Sequence, residues 1–423
     1  MGSQNLKQRH QVLVLVAFLS AITYLDRVCI SIAGPRIQQA LSLSPVQWGW
    51  VGSLFAISYC VFEIPSGYLG DRIGARAVLS RIVLWWSAFT ALTGLAWNYG
   101  SLLTTRFLFG MGEAGAAPNM FVTLARWFPL RERARGSSVI MMSAEVGTAL
   151  TPLIVIPLQK VYGWRVPFFV LGVIGVIWVA VWRRRYHDHP SDSPGIMPDE
   201  LEEIGHHAGT VQHTLRWKSI VRSWNLWIII FAGVSFRYGV YFFQFWLPTY
   251  LVKSHGFTET GLLSTTWLFL AGAIANLLGG SASDAMVTRV GLKAARRVIP
   301  VVGLAVSAVC LTLSILVDGK YLVMVLLSLS YGGLMFAQGV CWAVCIDIGA
   351  SFAGAVSAAR NTGAQAGAAV SSAVFGHMVA KTGNYNAALV PVIVMIALSA
   401  ALCARVDATE QLFPELAPNG SEY

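Results

Sequence analysis

The sequence has few charged residues for its length. Of its 423 residues, 12% are Asp, Glu, Lys or Arg and 56% are hydrophobic, whereas soluble globular domains carry about 25% charged residues. Apolar runs of about 20 residues, long enough for a helix to cross a bilayer, recur along almost the whole chain. This composition excludes an ordinary soluble protein and predicts an all-α polytopic membrane protein.

Patterns typical of cofactor, metal and nucleotide sites are also lacking. The six cysteines lie in apolar segments without disulfide-framework or metal-ligand spacing, and the glycine-rich stretches contain no phosphate-loop pattern. The chain has a net charge of +10, but its basic residues cluster in short loops between apolar runs, which is an orientation signal. We therefore predict no metal, no cofactor, no enzymatic activity and no nucleic-acid partner.

Apolar runs and the Gly, Pro and charged residues between them predict about twelve transmembrane helices in two six-helix bundles. The predicted spans are 11–34, 46–69, 76–97, 100–125, 135–159, 165–184, 224–252, 260–282, 297–317, 321–346, 353–380 and 386–404. The predicted domains are an N-terminal bundle, a cytoplasmic linker, a C-terminal bundle and a cytoplasmic tail, at residues 1–184, 185–223, 224–404 and 405–423. Within the polar linker, "MPDELEEIG" predicts a short surface helix.

Lysine and arginine predict the orientation in the membrane. The loops after the second, fourth, sixth and eighth spans contain "DRIGAR", "LRERAR", "RRR" and "VGLKAARR", and the intervening loops contain few basic residues. Because cytoplasmic loops carry an excess of Lys and Arg, both termini and the linker are predicted to be cytoplasmic. The first span lacks a small-residue cleavage site, so we expect a retained helix in a bacterial-type inner membrane.

Ionisable residues inside the first-half spans are candidates for function, because each costs about 2.5–3.5 kcal/mol to place at a membrane centre. Asp26 and Arg27 lie in "TYLDRVC" of the first span, with Asp26 roughly 23 Å from its cytoplasmic end. Arg106 and Glu113 are seven residues apart on one face of the fourth span, and Glu145 falls near the middle of the fifth. Asp26 and Arg106 are therefore predicted at similar depths.

The second half carries a comparable set of polar residues. Arg237 and Gln244 share one face of the seventh span, and Arg360 and Asn361 reach a similar depth in the eleventh. Secondary transporters bind substrate near the midplane between internal repeats, so the convergence of these groups predicts a transport site. A structural ion pair stays an open alternative for Arg106 and Arg360 individually.

The stretch "GYLGDRIGAR" at residues 67–76 resembles the signature loop of the major facilitator superfamily, with Ala75 in place of a basic residue. A degenerate second copy around Asp284 follows the eighth span, which indicates a parallel internal duplication. The resemblance covers the whole chain and implies the six-plus-six fold. It implies a gating loop formed by Gly67, Asp71, Arg72, Gly74, Arg76 and Asp284.

Further motifs resemble the anion:cation symporter family within that superfamily, whose members include proton-coupled permeases for hexuronate, galactonate, glucarate and phthalate. These motifs are "YLDR", "RFLFGMGEAGAAP", "WFPLRERARG" and "YFFQFWLPTYL". The resemblance implies that Asp26 and Glu113 are protonation sites, that Arg106 partners the acidic groups, and that Arg27 contacts the substrate carboxylate. An arginine offers a planar charged fork that matches a carboxylate.

The same resemblance implies a lining for a sugar-acid pocket, and the residues of this chain at the matching positions are Tyr24, Tyr59, Gln244 and Asn361. For the two tyrosines, ordinary core packing stays an open alternative. The implied partners are a small organic anion, the lipid bilayer and a coupling proton, with sodium as the alternative ion, and the protein is expected to be a monomer.

Glu145 departs from the family pattern, because a further carboxylate beside an anion site repels the cargo unless it is protonated or paired. We predict that Glu145 pairs with Arg237 or Arg360. These two arginines equally fit a cargo with more than one anionic group, such as a dicarboxylate or a sulfonated acid. An exporter of metabolites or drugs on the same fold is the other alternative, and it is disfavoured because such pumps need fewer fixed anion-binding arginines.

Overall fold

The computed structural model describes residues 7–204, 223–349 and 353–410, and at a few positions within its helices it describes the backbone alone. The described part consists of helices joined by short connections, without β-strands. Each of the twelve predicted spans coincides with one helix or with two in succession. The predicted all-α membrane fold is therefore confirmed.

In the first half, most spans correspond to single long helices. Proline and glycine end several of them, because proline lacks the backbone donor and glycine tolerates a positive φ. The helices are α1 (Gln8–Ala40), α2 (Pro45–Ile73), α3 (Ala75–Gly94), α4 (Tyr99–Glu113), α5 (Ala116–Trp127), α6 (Leu130–Tyr162), α7 (Val166–Arg185) and the short α8 (Pro198–Ile204). The fourth predicted span thus consists of two helices, α4 and α5.

The second half repeats this pattern, with one irregular helix. Its helices are α9 (Trp224–Tyr241), α10 (Leu247–His255), α11 (Thr265–Val290), α12 (Leu292–Leu316), α13 (Lys320–Gly349), α14 (Ala353–Thr382) and α15 (Leu389–Cys403). A π-helical turn, Phe242–Trp246, joins α9 to α10, and a 3₁₀ turn, Thr260–Ser264, precedes α11. In the described residues, eight helical segments are long and apolar enough to cross a membrane.

The chain divides into two compact units. The first contains Met1–Leu43 and Leu54–Gln212, and the second contains Ser44–Ser53 and His213–Tyr423. The predicted boundary between the bundles stays a prediction, since this division assigns the start of α2 to the second unit.

In each unit, a glycine lets two crossing helices pack closely against each other. An ideal Cβ on Gly147 of α6 would lie 2.8 Å from the carbonyl carbon of Ala21 on α1. In the second unit, a Cβ on Gly367 of α14 would lie 2.9 Å from the carbonyl carbon of Val234 on α9. Because real Cβ atoms do not approach backbone this closely, both crossings require glycine. Corresponding crossings are what an internal duplication predicts.

The signature stretch is not a loop in the structure. Helix α2 continues through it to Ile73, and the chain turns at Gly74, whose φ is +86°. The structure describes Gly67, Asp71 and Arg72 by their backbone alone, so their predicted gating role stays a prediction. A helix that runs on satisfies its own backbone hydrogen bonds, which an open loop would leave to water.

The second copy differs in the same way. Asp284 lies within α11, and the turn comes at Gly291, whose φ is also +86°. Arg296 of α12 approaches Asp284 at 3.6 Å and donates from Nε to Asp347 of α13 at 2.8 Å. Here too the predicted loop is the end of a helix.

The predicted surface helix of the linker is confirmed as α8, and it packs on the start of α1. The Glu200 carboxylate accepts hydrogen bonds from the backbone N–H groups of Gln8 (3.0 Å) and Arg9 (2.9 Å). Glu203 forms ion pairs with Lys7 and Arg9, both at 2.7 Å. Because the first N–H groups of a helix have no partner within that helix, Glu200 caps α1 from a distant part of the chain.

The segment just before α8 is also fixed to the first unit. Asp188 accepts hydrogen bonds from the backbone N–H of Arg76, at the start of α3, and from the side chain of Arg126, each at 3.1 Å. Tyr186 stacks on Trp182 with ring centroids 3.9 Å apart. Arg76, predicted as a gating residue, therefore also anchors the linker.

Candidate functional site

The candidate site of the first unit is centred on an ion pair between Arg27 of α1 and Glu113 at the end of α4. Arg27 Nε donates to Glu113 Oε1 at 3.0 Å, and the terminal nitrogen Nη2 donates to the same oxygen. The two residues are 9% and 1% exposed. A charged hydrogen bond away from water is a strong one, so this pair is a substantial local interaction.

A cage of aromatic rings surrounds the guanidinium of Arg27. Its central carbon lies 5.0 Å from the ring centroid of Tyr24, 5.3 Å from that of Phe55 and 5.0 Å from that of Tyr59. Aromatic faces attract a cation within about 6 Å. The cage therefore holds a cation without adding a negative charge that would repel an anionic cargo.

Glycine lets α4 reach this cage. An ideal Cβ on Gly110 would lie 2.6 Å from the carbonyl oxygen of Phe55, so the two helices meet backbone to backbone. Glu113 follows three residues later on nearly the same face. The close approach brings its carboxylate to Arg27, on the neighbouring α1.

Asp26 is adjacent to Arg27 in sequence but belongs to a different environment. It is buried, and neither of its carboxylate oxygens accepts a hydrogen bond from the part of the chain that the structure describes. The charged groups that act on it are Glu113 and Arg106. As expected for consecutive helical residues, Asp26 and Arg27 point to different partners.

Arg106 of α4 is a further buried arginine of the first unit. It donates a hydrogen bond to the Thr93 hydroxyl at 2.7 Å, and its guanidinium carbon lies 4.4 Å from the ring centroid of Phe109. The predicted contact with Asp26 is not a hydrogen bond in this structure, because Arg106 reaches Thr93 on α3 instead. The two charges interact at longer range.

Two further buried carboxylates of this unit lie on α2 and α6. Glu145, one of the predicted site residues, is 4% exposed on α6. Glu63 is 7% exposed on α2, one turn after Tyr59, and its charge acts on that tyrosine. Glu63 was not among the predicted site residues, although it is the one carboxylate in the span predicted at 46–69 and costs as much to place in a membrane as the others.

Phe55 and Thr93 were also missed. An isolated phenylalanine or threonine in an apolar span carries no signal of function in a single sequence. Their roles follow only from the contacts with Arg27 and Arg106.

In the second unit, Gln244 occupies the middle of the π-helical turn. It is 5% exposed, and within the described residues its side-chain oxygen has no hydrogen-bond partner. Arg237 and Gln244 were predicted on one regular helical face. The π turn that contains Gln244 interrupts this regularity, and the shared face stays a prediction. Single π turns inside α-helices occur frequently at functional sites.

The remaining predicted residues of the second unit lie on α9 and α14. Arg360 is buried and lies between two aromatic rings, while Arg237 and Asn361 are partly buried. Glu145 belongs to the first unit and both of these arginines to the second, so their pairing stays a prediction.

The buried charges of the first unit include a guanidinium that can bind an anion. Within the described residues, no group of three His, Cys, Asp or Glu side chains is placed to hold a metal ion. The first unit offers a guanidinium whose internal partner is a carboxylate that a proton can neutralise. Such a pair can exchange its carboxylate for an external one.

Known proteins resemble this chain in sequence and in fold. The family model of the Major Facilitator Superfamily matches residues 16–372. The "Probable sulfoacetate transporter" of Cupriavidus necator is 32% identical over 389 residues, which are 90% of each chain. The "Probable galactarate/D-glucarate transporter" of Escherichia coli K12 and the "Hexuronate transporter" of Bacillus subtilis are each 29% identical, again over 90% of both chains.

Among solved structures, a bacterial homolog of the human lysosomal transporter Spinster, in an inward-facing and occupied conformation, has the same fold. It aligns with a TM-score of 0.77 at 19% identity, over 96% of this chain and 98% of its own. The match to the family model and the similarity to these relatives both extend over most of the sequence. The chain therefore belongs to the Major Facilitator Superfamily and, within it, to the anion:cation symporter branch, and it is a transporter rather than an enzyme.

Proposed function

We propose that this protein imports a small organic anion, such as a sugar acid, by proton symport with alternating access. The observation that carries this proposal is the buried ion pair of Arg27 and Glu113 inside an aromatic cage. Relatives named for sulfoacetate, galactarate or glucarate, and hexuronate support organic-anion transport in general.

The ion pair suggests how a proton is coupled to the cargo. While Glu113 is ionised, it occupies the hydrogen-bonding fork of Arg27. When Glu113 gains a proton its charge is lost, and Arg27 is left as a buried cation, which is costly unless another anion takes the place of the carboxylate. A cargo carboxylate is such an anion, so protonation of Glu113 and binding of cargo favour each other.

Asp26 is the second proposed proton site. An ionised carboxylate without hydrogen-bond donors is expensive to bury, and binding a proton removes that cost. Arg106 lies near enough to interact with Asp26 electrostatically while it donates to Thr93. In the proposal Arg106 balances the charge of Asp26 in the deprotonated state, and a small shift between α1 and α4 strengthens or weakens this interaction.

Each unit contains proposed substrate-binding residues of its own. In the first unit, Tyr24 and Tyr59 form two walls of the Arg27 cage. In the second unit, Gln244 presents an amide oxygen without a partner in the described residues. Asn361 is partly buried on α14. These groups fit the hydroxyls of a sugar acid, which need donors and acceptors once they leave water. The protein is proposed to act as a monomer in a bacterial-type inner membrane.

Uptake into proteoliposomes tests the proposal. Labelled D-glucuronate, D-glucarate and sulfoacetate are supplied with and without an inwardly directed proton gradient, and the gradient is expected to accelerate uptake. Acceleration by a sodium gradient and not by a proton gradient would contradict the coupling. Lack of uptake of every organic anion would contradict the cargo class.

Two variants test the residues. Arg27→Gln is expected to abolish cargo binding, because it removes the charge that attracts the anion. Glu113→Gln mimics the protonated state, so it should retain binding and counterflow exchange but lose proton-driven accumulation. If Glu113→Gln still accumulates cargo in response to a pH gradient, Glu113 is not a coupling residue.

A further inference from the structure

In the first unit, helix α3 has a buried polar face near the Asp26 carboxylate of α1. Trp86, Thr90 and Thr93 follow one another at intervals of four and three residues, so they lie on one face of the helix. Each of them is at most 1% exposed. Trp86 lies beside Asp26, and the Thr93 hydroxyl accepts a hydrogen bond from Arg106 of α4 at 2.7 Å. Thr90 lies between these two contacts.

Two polar groups of this face have no hydrogen-bond partner within the described residues, the indole Nε1–H of Trp86 and the hydroxyl of Thr90. Other buried threonines of the first unit donate to the backbone carbonyl four residues earlier, which satisfies the hydroxyl within its own helix. They are Thr23, Thr93, Thr123, Thr148 and Thr151. The Thr90 hydroxyl lacks this bond and is therefore available to a partner outside α3.

The Asp26 carboxylate supplies the matching acceptors. It is 2% exposed, and neither of its oxygens has a hydrogen-bond partner in the part of the chain that the structure describes. A carboxylate accepts hydrogen bonds, an indole N–H donates one, and a hydroxyl does both. Burial of such groups without partners is costly. A buried water molecule satisfies two to four polar groups at once, so this is the kind of place where water binds.

The surrounding charges favour a neutral molecule over a metal cation. Glu113 and Arg106 act on Asp26, and Cys29, one turn further along α1, is acted on by Asp26 and Arg106. Because Glu113 is paired with Arg27, the guanidinium of Arg106 is the charge that a cation beside Asp26 would meet, and like charges repel. An indole N–H also offers a hydrogen atom, whereas hard cations require oxygen ligands.

We propose that α3 holds a water molecule against the Asp26 carboxylate, and that Asp26 gains and loses its proton through this water. The inference rests on the proposed function, in which Asp26 is the second proton site. The water donates to the ionised carboxylate and accepts from the indole of Trp86, while the Thr90 hydroxyl fixes its position. A proton that reaches the water as hydronium passes to a carboxylate oxygen, and neutral water remains. Trp86 and Thr90 are thus positioning residues.

Infrared titration of purified protein in detergent tests this inference. The carbonyl band of protonated Asp26 is the one that disappears in Asp26→Asn, and its intensity is followed against pH. Thr90→Val removes the hydroxyl with little change of shape, and Trp86→Phe removes the N–H but keeps a ring. Either change takes donors from the ionised carboxylate. We therefore expect the titration midpoint of each variant to move to higher pH by about one pH unit, a tenfold change in proton affinity.

A matched control comes from the same helix. Ser87 is 1% exposed, faces Gly175 of α7, and also has a hydroxyl without a partner in the described residues. Ser87→Ala therefore removes an equally buried hydroxyl away from Asp26 and should leave the midpoint unchanged. Thr90→Ser keeps the hydroxyl and should titrate like the unaltered protein. Thermal unfolding shows whether each variant is folded.

The bound water has a spectroscopic signature of its own. In water enriched in the heavy oxygen isotope, an O–H stretching band of the unaltered protein should shift, and this band should be missing in Thr90→Val. A band that persists unchanged in Thr90→Val would contradict the proposed position of the water.

Three further results would overturn the inference. The first is an unchanged midpoint in folded Thr90→Val and Trp86→Phe. The second is a midpoint that depends on sodium concentration at constant ionic strength, because a cation would then occupy the site. The third is a lack of any Asp26 band at every pH tested. Uptake into proteoliposomes is a separate measurement: if no proton gradient accelerates it, the proposed function fails, whereas shifted midpoints in the two variants would still support the water site.

Discussion

At the scale of single residues, two charges that are adjacent in the sequence have different partners in the folded protein. "TYLDRVC" places two charges in an apolar span, and the structure separates them. Arg27 faces Glu113 and three aromatic rings, whereas Asp26 is buried without a hydrogen bond from the described residues. The reason is the 100° turn between consecutive helical residues, which prevents both from facing one neighbour.

We expect Arg27→Lys to weaken cargo binding at least tenfold, which corresponds to about 1.4 kcal/mol. Lysine keeps the charge but loses the planar fork that bonds a carboxylate and lies flat against rings. The measurement is the Kd for the transported anion by titration calorimetry in detergent. Arg289→Lys, at an exposed position of α11, is the matched control and should not change the Kd. Unchanged affinity in Arg27→Lys would show that charge alone suffices at this site.

At the scale of helices, glycine decides which pairs pack closely. Gly147 and Gly367 lie at crossings where a side chain would collide with the backbone of the partner helix. These crossings hold α1 against α6 and α9 against α14, and α1 and α14 carry Arg27 and Arg360. Arg27 is therefore positioned by the crossing of α1 and α6 at Gly147. Arg360 is positioned by the crossing of α9 and α14 at Gly367.

Gly147→Ala is expected to destabilise the protein by about 1–3 kcal/mol, the usual cost of adding a methyl group to a tightly packed place. The measurement is thermal unfolding of detergent-solubilised protein. The control is Gly280→Ala in α11, where an added Cβ would meet no atom within 4 Å. A stability loss as large in Gly280→Ala would contradict the packing explanation.

The linker helix α8 stabilises the start of α1. Glu200 caps the start of α1 by accepting two backbone hydrogen bonds. We expect Glu200→Ala to lower the free energy of unfolding by about 0.5–2 kcal/mol, the range for loss of a helix cap. Glu202 is exposed on the same short helix, so Glu202→Ala is the matched control and should leave thermal stability unchanged.

The ion pairs of Glu203 predict a pH dependence of this contact. Hydrogen bonds from Lys7 and Arg9 lower the pKa of Glu203 below its ordinary value. A lowered pKa means that the contribution is complete above the ordinary Glu pKa of about 4.3 and disappears as the pH falls through the lowered value. The stability difference between the unaltered protein and Glu203→Gln should be constant between about pH 6 and 8 and shrink in acid. A difference that grows on acidification would contradict this assignment.

At the scale of the whole molecule, the basic loops predict the orientation. Both termini and the linker are expected in the cytoplasm. A reporter that is active only in the cytoplasm should be active when fused after residue 423, and inactive when fused after Trp97 in the loop between the third and fourth predicted spans. A reporter that requires export should give the opposite result at each position. A cytoplasmic reporter that is active after Trp97 and inactive after residue 423 would contradict the predicted orientation.

Much of the fold could be predicted from the sequence because lipid imposes a strict rule. Every spanning segment needs about 20 apolar residues and satisfies its backbone hydrogen bonds internally, so apolar runs reveal helices directly. The sequence also predicted α8 and placed Asp26, Arg27, Arg106, Glu113 and Glu145 among buried residues, where they lie. It misplaced the ends of helices, because the helix runs through the charged stretch before Gly74.

The sequence by itself determined that the protein is helical, multi-pass and duplicated, and that charges such as Asp26 and Arg27 are buried, because apolar length and insertion cost are local properties of a segment. Only the tertiary structure decided that Arg27 pairs with Glu113, that Phe55 completes its cage, and that Arg360 lies against the ring of Trp342. Those partners are distant in sequence and meet through helix crossings and a π turn. Such contacts depend on how whole helices pack, which no single segment specifies.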